Sequence, residues 1–288
     1  MSIGNAARNP VVWGWDQVRG ALAGMEEARH HELAHPLPRI RTLTVADLRD
    51  SLREGYADFR ADPTHYLFLC ALYPAIGLVL GRLASGGGAL PLLFPMIAGF
   101  ALLGPFAAVG LYELSRRREA GQDIAWWHAF GVFGSPALGG ILKLGLMFAA
   151  LFVLWLVAAE GIYRLTLGHF APASVSALLG AVLTTRAGWV LLLLGNLVGF
   201  LFALAALVLG VVSFPMLVDR RVGVELAVRA SFEAVRRNKA VMAGWGLIVT
   251  AALVVGSIPF LLGLAVAIPV LGHATWHLYR RVVAFGPE

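Results

Sequence analysis

The sequence predicts an all-α membrane protein: six transmembrane helices arranged as three hairpins, each preceded by a cytoplasmic amphipathic interfacial helix. Three observations predict it. Hydrophobic residues make up 59% of the 288 and charged residues only 14%, against about 45–50% and about 25% in an ordinary soluble domain, and the mean hydropathy is +0.76. The apolar residues fall in runs at about 66–83, 90–112, 139–159, 189–214, 242–258 and 261–279, and about 20 residues are needed per crossing. The basic residues, finally, lie between alternate runs, as lysine and arginine do when they stay on the cytoplasmic side.

Residues 1–40 read as a flexible cytoplasmic N-terminal segment and 41–285 as the six-helix transmembrane domain. The segment holds Asp16, Glu26, Glu27 and Glu32 without an uninterrupted apolar core, which does not fit a cleaved signal peptide. The stretch LTVADLRDSLREGYADFRADP follows. Thr44 with Asp47 three residues later has the form of a helix-capping pair, Val45, Leu48, Leu52, Tyr56 and Phe59 recur at helical spacing, and Asp62-Pro63 ends the helix. The first hairpin turns at Ser85-Gly86-Gly87-Gly88. Aromatic residues in GQDIAWWHAFGVFGSP crowd the start of the third span, and in GVELAVRASFEAVRRNKAVM either Leu226, Ala230 and Phe232 or Phe232 and Val235 point to lipid. Apolar faces edged by arginine suit helices lying in the headgroup layer.

The final run, 242–279, would make roughly 57 Å of helix at about 1.5 Å per residue, enough for two crossings with a tight turn at Gly256-Ser257-Ile258-Pro259. With six crossings and both termini cytoplasmic, the opposite side holds only Arg82, Arg164 and Arg186 of the 23 basic residues, Lys143 lying inside the third span. Five crossings would move Arg280 and Arg281 to the wrong side. The connection 160–188 is expected to rest on the outer surface, with Glu160 and Arg164 paired four residues apart.

The pI near 10.0 does not imply nucleic acid, because the basic residues are not gathered into one domain with interleaved aromatics. They imply a bilayer with anionic headgroups at the cytoplasmic face. The lone Cys70 allows neither an intrachain disulfide nor a cysteine-based metal site. HELAH at 31–35 matches H-E-x-x-H, which makes His31 and His35 candidate metal ligands. Pro36 and Pro38 break the helix the motif needs, however, and no third ligand follows, so neither a metal nor a protease activity is expected. His273 and His277 share a helix face and are the candidate cofactor-binding residues; the reading preferred here is an interfacial belt with Trp276 and Tyr279, and no cofactor is expected.

Within the spans the clearest polar group is Asn196, expected to hydrogen-bond a neighbouring helix. No Asp, Glu or Arg falls mid-span, which disfavours an ion-coupled carrier. Pro91, Pro95 and Pro105 suggest kinks whose freed carbonyls line a cavity.

LTVADLRDSLREGYADFRADP, the six spans and FPMLVDRRVGVELAVRASFEAVRRNKAVMAGWG together resemble a family of uncharacterised bacterial integral membrane proteins, some of which carry a cytochrome c oxidase subunit label. The resemblance covers about residues 38–285 and carries no catalytic residues. It implies a non-enzymatic inner-membrane protein, an accessory or assembly component packing against another membrane complex such as a respiratory oxidase. The alternative is a carrier or lipid-handling protein with a pocket between Pro-kinked helices.

Overall fold

The computed structural model describes residues 38–61, 82, 90–168, 170–258 and 261–285. The expected first span at 66–83, apart from Arg82, the turn after it and the HELAH segment lie outside the described residues. The rest is almost entirely helical. Strand β1 (Arg39–Ile40) leads into α1 (Val45–Ala61); α2 (Leu93–Phe100), α3 (Gly104–Ala107) and α4 (Val109–Glu119) form one interrupted rod with short 3-10 turns at Leu90–Leu92 and Ala101–Leu103. After a 3-10 segment at Trp126–Gly134 come α5 (Leu138–Thr166), α6 (Val175–Thr184), α7 (Arg186–Gly210), α8 (Ser213–Asp219), α9 (Val224–Arg237), α10 (Lys239–Ser257), α11 (Leu264–Val282) and strand β2 (Val283–Ala284).

Among the described residues, four helical stretches are long and apolar enough to cross a membrane: Leu90–Glu119, Leu138–Thr166, Arg186–Asp219 and Lys239–Ser257. They contain the second to fifth expected spans. The first of the four is interrupted by 3-10 turns at Leu90–Leu92, which holds Pro91, and at Ala101–Leu103, in the turn before Pro105, while Pro95 stands within α2; proline removes a backbone donor and clashes with the preceding turn. The third expected span runs on past residue 159 to Thr166, far enough for Arg164 Nε to meet Glu160 Oε1 at 2.6 Å. The expected sixth span, 261–279, is not among the four. Its helix, α11, ends in HATWHLYRRV, and eleven of its 19 residues are buried in protein.

The cause is α1. The Thr44–Asp47 cap forms as the sequence predicts, with Thr44 N–H and Oγ1 both donating to Asp47 Oδ2 at 2.7 Å. The helix does not use its apolar stripe on lipid, however. Leu48, Ser51, Gly55 and Asp58 are buried against α11, while Val45 and Tyr56 are exposed. Gly55 is what permits the contact: a Cβ there would stand 2.5 Å from the backbone nitrogen of Ala274. The strap before α1 is held as well. Arg39 and Ile40 pair antiparallel with Ala284 and Val283, and Asn238, at the end of α9, accepts from Leu43 N–H at 2.6 Å and donates to Arg41 O at 3.1 Å.

The same correction applies to α9. Leu226 and Ala230 face protein, together with Ala227, Ser231 and Ala234, and Ser231 Oγ accepts from Val212 N–H at 3.3 Å; of the expected lipid-facing set only Phe232 is exposed. An amphipathic period shows that one face is covered, not by what. The molecule therefore has a densely packed end, built from α1, α4, α8, α9 and the second half of α11, and an apolar remainder in which between 17% and 33% of each span is buried.

Gly55→Leu should force α1 off α11 and lower stability by about 1–3 kcal/mol or more, the range for overpacking a filled contact. Gly161→Ala, in α5 where an added Cβ meets nothing within 4 Å, should be neutral or slightly stabilising. Thermal unfolding of the two variants in one mild detergent checks the contrast.

Candidate functional site

The packed end contains a cluster of polar side chains that would be costly to bury singly. Asp58, on the inner face of α1, Ser115 in α4 and His273 in α11 are all buried. Ser115 Oγ donates to Asp58 Oδ2 at 2.7 Å and lies 2.7 Å from His273 Nδ1. A hydroxyl has one proton, so with that proton on Asp58 the imidazole is assigned as the Nδ1–H donor to Ser115. His277 Nε2 stands 3.0 Å from the same carboxylate oxygen, and Arg118 Nε lies 3.4 Å from Asp58 Oδ1. The other ring nitrogen of His277 lies 3.2 Å from Glu54 Oε2. Arg281 closes the cluster with two bonds to Glu54, both 2.8 Å.

A second group grips the same helix from its other sides. Glu119 accepts from Trp276 Nε1 at 3.1 Å and from Arg280 Nε at 2.9 Å. Asp219, at the end of α8, accepts from the Tyr279 hydroxyl at 2.7 Å. The expected belt of His273, His277, Trp276 and Tyr279 at headgroup level is therefore corrected for three of its four rings: His273, Trp276 and Tyr279 are buried in protein, each with a hydrogen bond that satisfies its polar atom.

Burial works against ionising Asp58, but hydrogen bonds from His277 and Ser115 and the nearby imidazoles outweigh it, and the carboxyl is held below its ordinary value of 3.8. Glu54 is likewise held below 4.5, chiefly by its hydrogen bonds to Arg281. Both acids are thus charged in the folded protein.

Serine, histidine and aspartate together invite comparison with a hydrolytic triad, and the order of bonds excludes it. In a triad the imidazole sits between serine and carboxylate and the hydroxyl is open to substrate. Here the hydroxyl sits between the other two and is buried. The arrangement can hold three helices in register. It also forms an unbroken hydrogen-bonded string from His277, with 18% of its side chain exposed, to His273, with 1%. Among the described residues no group of three or more His, Cys, Asp or Glu is placed to hold a metal ion.

Of the sequence candidates, His273 and His277 meet in one cluster, joined through Asp58 and Ser115; His31 and His35 lie outside the described residues. Asn196 is corrected: its Nδ2 donates to Leu192 O of its own helix at 2.8 Å, not to a neighbour, and the side chain is exposed on the outside of α7. Asp58 and Ser115 were not anticipated. The signal was faint but present, since Leu48, Ser51, Gly55 and Asp58 follow one helical stripe that mixes apolar, small and polar residues.

Residues 93–219 match the model of a family described as "Predicted integral membrane protein (DUF2189)". The chain is an integral membrane protein that over these residues is similar to that uncharacterised family. The match runs from α2 to the end of α8 and so takes in Ser115, Arg118, Glu119 and Asp219, but not α1 or α11. No curated protein and no solved structure matches the chain.

The sign of the pH dependence follows from the two carboxyls. An acid with a depressed folded value adds stability above its unfolded value and loses it as the pH falls through the folded one. Melting temperature in detergent should therefore drop on acidification below about pH 4.5, and Asp58→Asn with Glu54→Gln should flatten that drop. At neutral pH Asp58→Asn should cost about 1–3 kcal/mol for the donors left short of an anionic partner. A melting profile of the double variant as steep as that of the unaltered chain would assign the acid loss to other groups.

Proposed function

We propose that the chain is a non-enzymatic bacterial inner-membrane protein that packs against, or helps assemble, another membrane complex. In this reading it crosses six times as three hairpins, with both termini cytoplasmic. The packed end then lies at the cytoplasmic face, where the exposed Arg229, Arg236, Arg237 and Lys239 meet anionic headgroups. The observation that carries the reading is Asn196. Its carboxamide is exposed among Leu193, Leu197 and Phe200 on the outside of an apolar span, and among the described residues its one hydrogen bond is to its own helix. Hydrocarbon offers no partner to an amide, and such groups in membranes are commonly answered by another helix.

A supporting argument comes from the buried ionisable groups: Asp58, His273 and Glu113 are engaged with side chains of the protein itself, as befits a rigid platform. The segmentation of Leu90–Glu119 at its prolines favours a second reading, a carrier or lipid handler with a pocket beside that rod. Against it, Trp155 Nε1 donates to Pro95 O at 2.8 Å, which fills one site where a polar cavity wall would form.

Affinity purification of the full chain from native membranes in mild detergent tests the first reading. A membrane protein complex, recognisable by haem absorbance if it is an oxidase, should accompany the unaltered chain, and its recovery should fall several-fold with Asn196→Leu while the melting temperature of the chain itself is unchanged. A chain that migrates alone, carrying ordered lipid, would move the assignment to the second.

A further inference from the structure

The 3-10 segment Trp126–Gly134 has two unlike sides. Its inner side is docked: Val132 is buried, and Ala129 lies so close to α4 that a Cβ added at Gly110 would stand 3.0 Å from its methyl group. Its outer side presents four large rings, Trp126, Trp127, Phe130 and Phe133, with 52%, 57%, 54% and 66% exposed. They form a connected surface. Trp126 contacts Trp127 and Phe130 edge-on at 6.0 and 6.1 Å between ring centres, and Phe130 stacks on Phe133 at 6.2 Å. No charged residue occurs from Ile124 to Gly134. The one titratable ring, His128, is folded back, its Nδ1 accepting from Ala125 N–H at 3.0 Å.

We propose that this surface is a membrane wedge, seated in the boundary between headgroups and acyl chains of a phospholipid bilayer. The occupant follows from continuity. The segment joins the end of one membrane-length stretch, at Glu119, to the start of the next, at Leu138, so it stands where both cross the surface of the bilayer. Rings of this kind prefer that depth, because indole is apolar in its body and polar at its N–H, and elements lying in the interface bury their apolar face about 5–10 Å deep. Contiguous exposed aromatic surface is unfavourable in water. Docking of Ala129 and Val132 on α4 fixes which side faces outward, so the rod Leu90–Glu119 is tied at its polar end to the bilayer surface. The inference is independent of the partner complex proposed above and would stand if that failed.

The test uses the full chain with Cys70→Ser, reconstituted in phosphatidylcholine–phosphatidylglycerol vesicles and spin-labelled through single cysteines at Phe133→Cys and Trp127→Cys. Leu197→Cys, on the outside of α7, is the lipid reference, and Asp50→Cys, on the exposed face of α1, is the water reference. Collision with oxygen relative to a water-soluble nickel chelate should be several-fold greater at residues 127 and 133 than at 50, and should approach the value at 197. A ratio like that at 50, or labels immobilised and shielded from both reagents as under a protein partner, would overturn the proposal. Should the cysteine variants not fold, Trp126→Phe with Trp127→Phe keeps the aromatic bulk. Lipid brominated near the glycerol should quench a smaller share of its tryptophan fluorescence than of the unaltered chain's, and an equal share would be equally fatal.

Discussion

A buried carboxylate sets the terms for the polar end of this protein. Asp58 lies on α1 where that helix meets α11, and removal of an ionised acid from water is costly unless donors replace the lost hydration. The replacements come from two other elements: Ser115 and Arg118 on α4, His277 on α11. None can reach unless the three helices converge, and α1 can approach α11 only because residue 55 has no side chain. The small residue and the charged one, three apart on a single face, are parts of one device.

Convergence there has consequences for the apolar remainder. Lipid tails are as apolar as leucine, so helices in a membrane gain little from hydrophobic contact with one another. Yet two of the elements meeting at the polar end continue directly from membrane-length stretches: α4 ends the rod that begins at Leu90, and α8 extends α7 to Asp219. Fixing α4 and α8 around α11 through Glu119, Asp219, Arg280 and Tyr279 fixes how their spans emerge. Side-chain contacts within the membrane complete the arrangement, as where Gly199 leaves room for Trp155 of α5. The greater part of the span surface is left for lipid or for other proteins.

What the sequence disclosed and what it hid divide along sequence separation. The Thr44–Asp47 cap, the Glu160–Arg164 pair, the interruptions at Pro91 and before Pro105 and the positions of the second to fifth spans all rest on residues within a few turns of each other, and local rules read them. The cluster around Asp58 joins residues 57, 158 and 219 positions apart. Nothing in a single sequence announces such a meeting. Periodicity failed in a specific way as well: the stripes of α1 and α9 are visible, but a stripe that docks on protein and one that docks on lipid are written with the same residues. The departures from pure hydrophobicity, Ser51, Gly55 and Asp58 on α1 and Ser231 on α9, are what marked protein as the covering surface, because small and hydrogen-bonding residues serve helix contact and add nothing in hydrocarbon.

The two histidines show how a helical pair can be read too narrowly. His273 and His277 share a face of α11, and a common ligand is the obvious use for such a pair. The next residue on the same face is Arg281, however, and opposite it α1 presents Glu54 and Asp58, also four apart. The two rows interlock: Asp58 lies toward His273 and His277, and Glu54 toward His277 and Arg281. A slip of one helical turn, about 5.4 Å, would carry Asp58 past its imidazoles and leave at least one charge buried without a partner. The apolar contacts between α1 and α11 would tolerate such a slip far better, since Leu48, Leu52 and Phe59 can pack on many surfaces. The histidines therefore act as spacers in an electrostatic ruler, which fixes the register of two helices whose hydrophobic residues determine only that they touch.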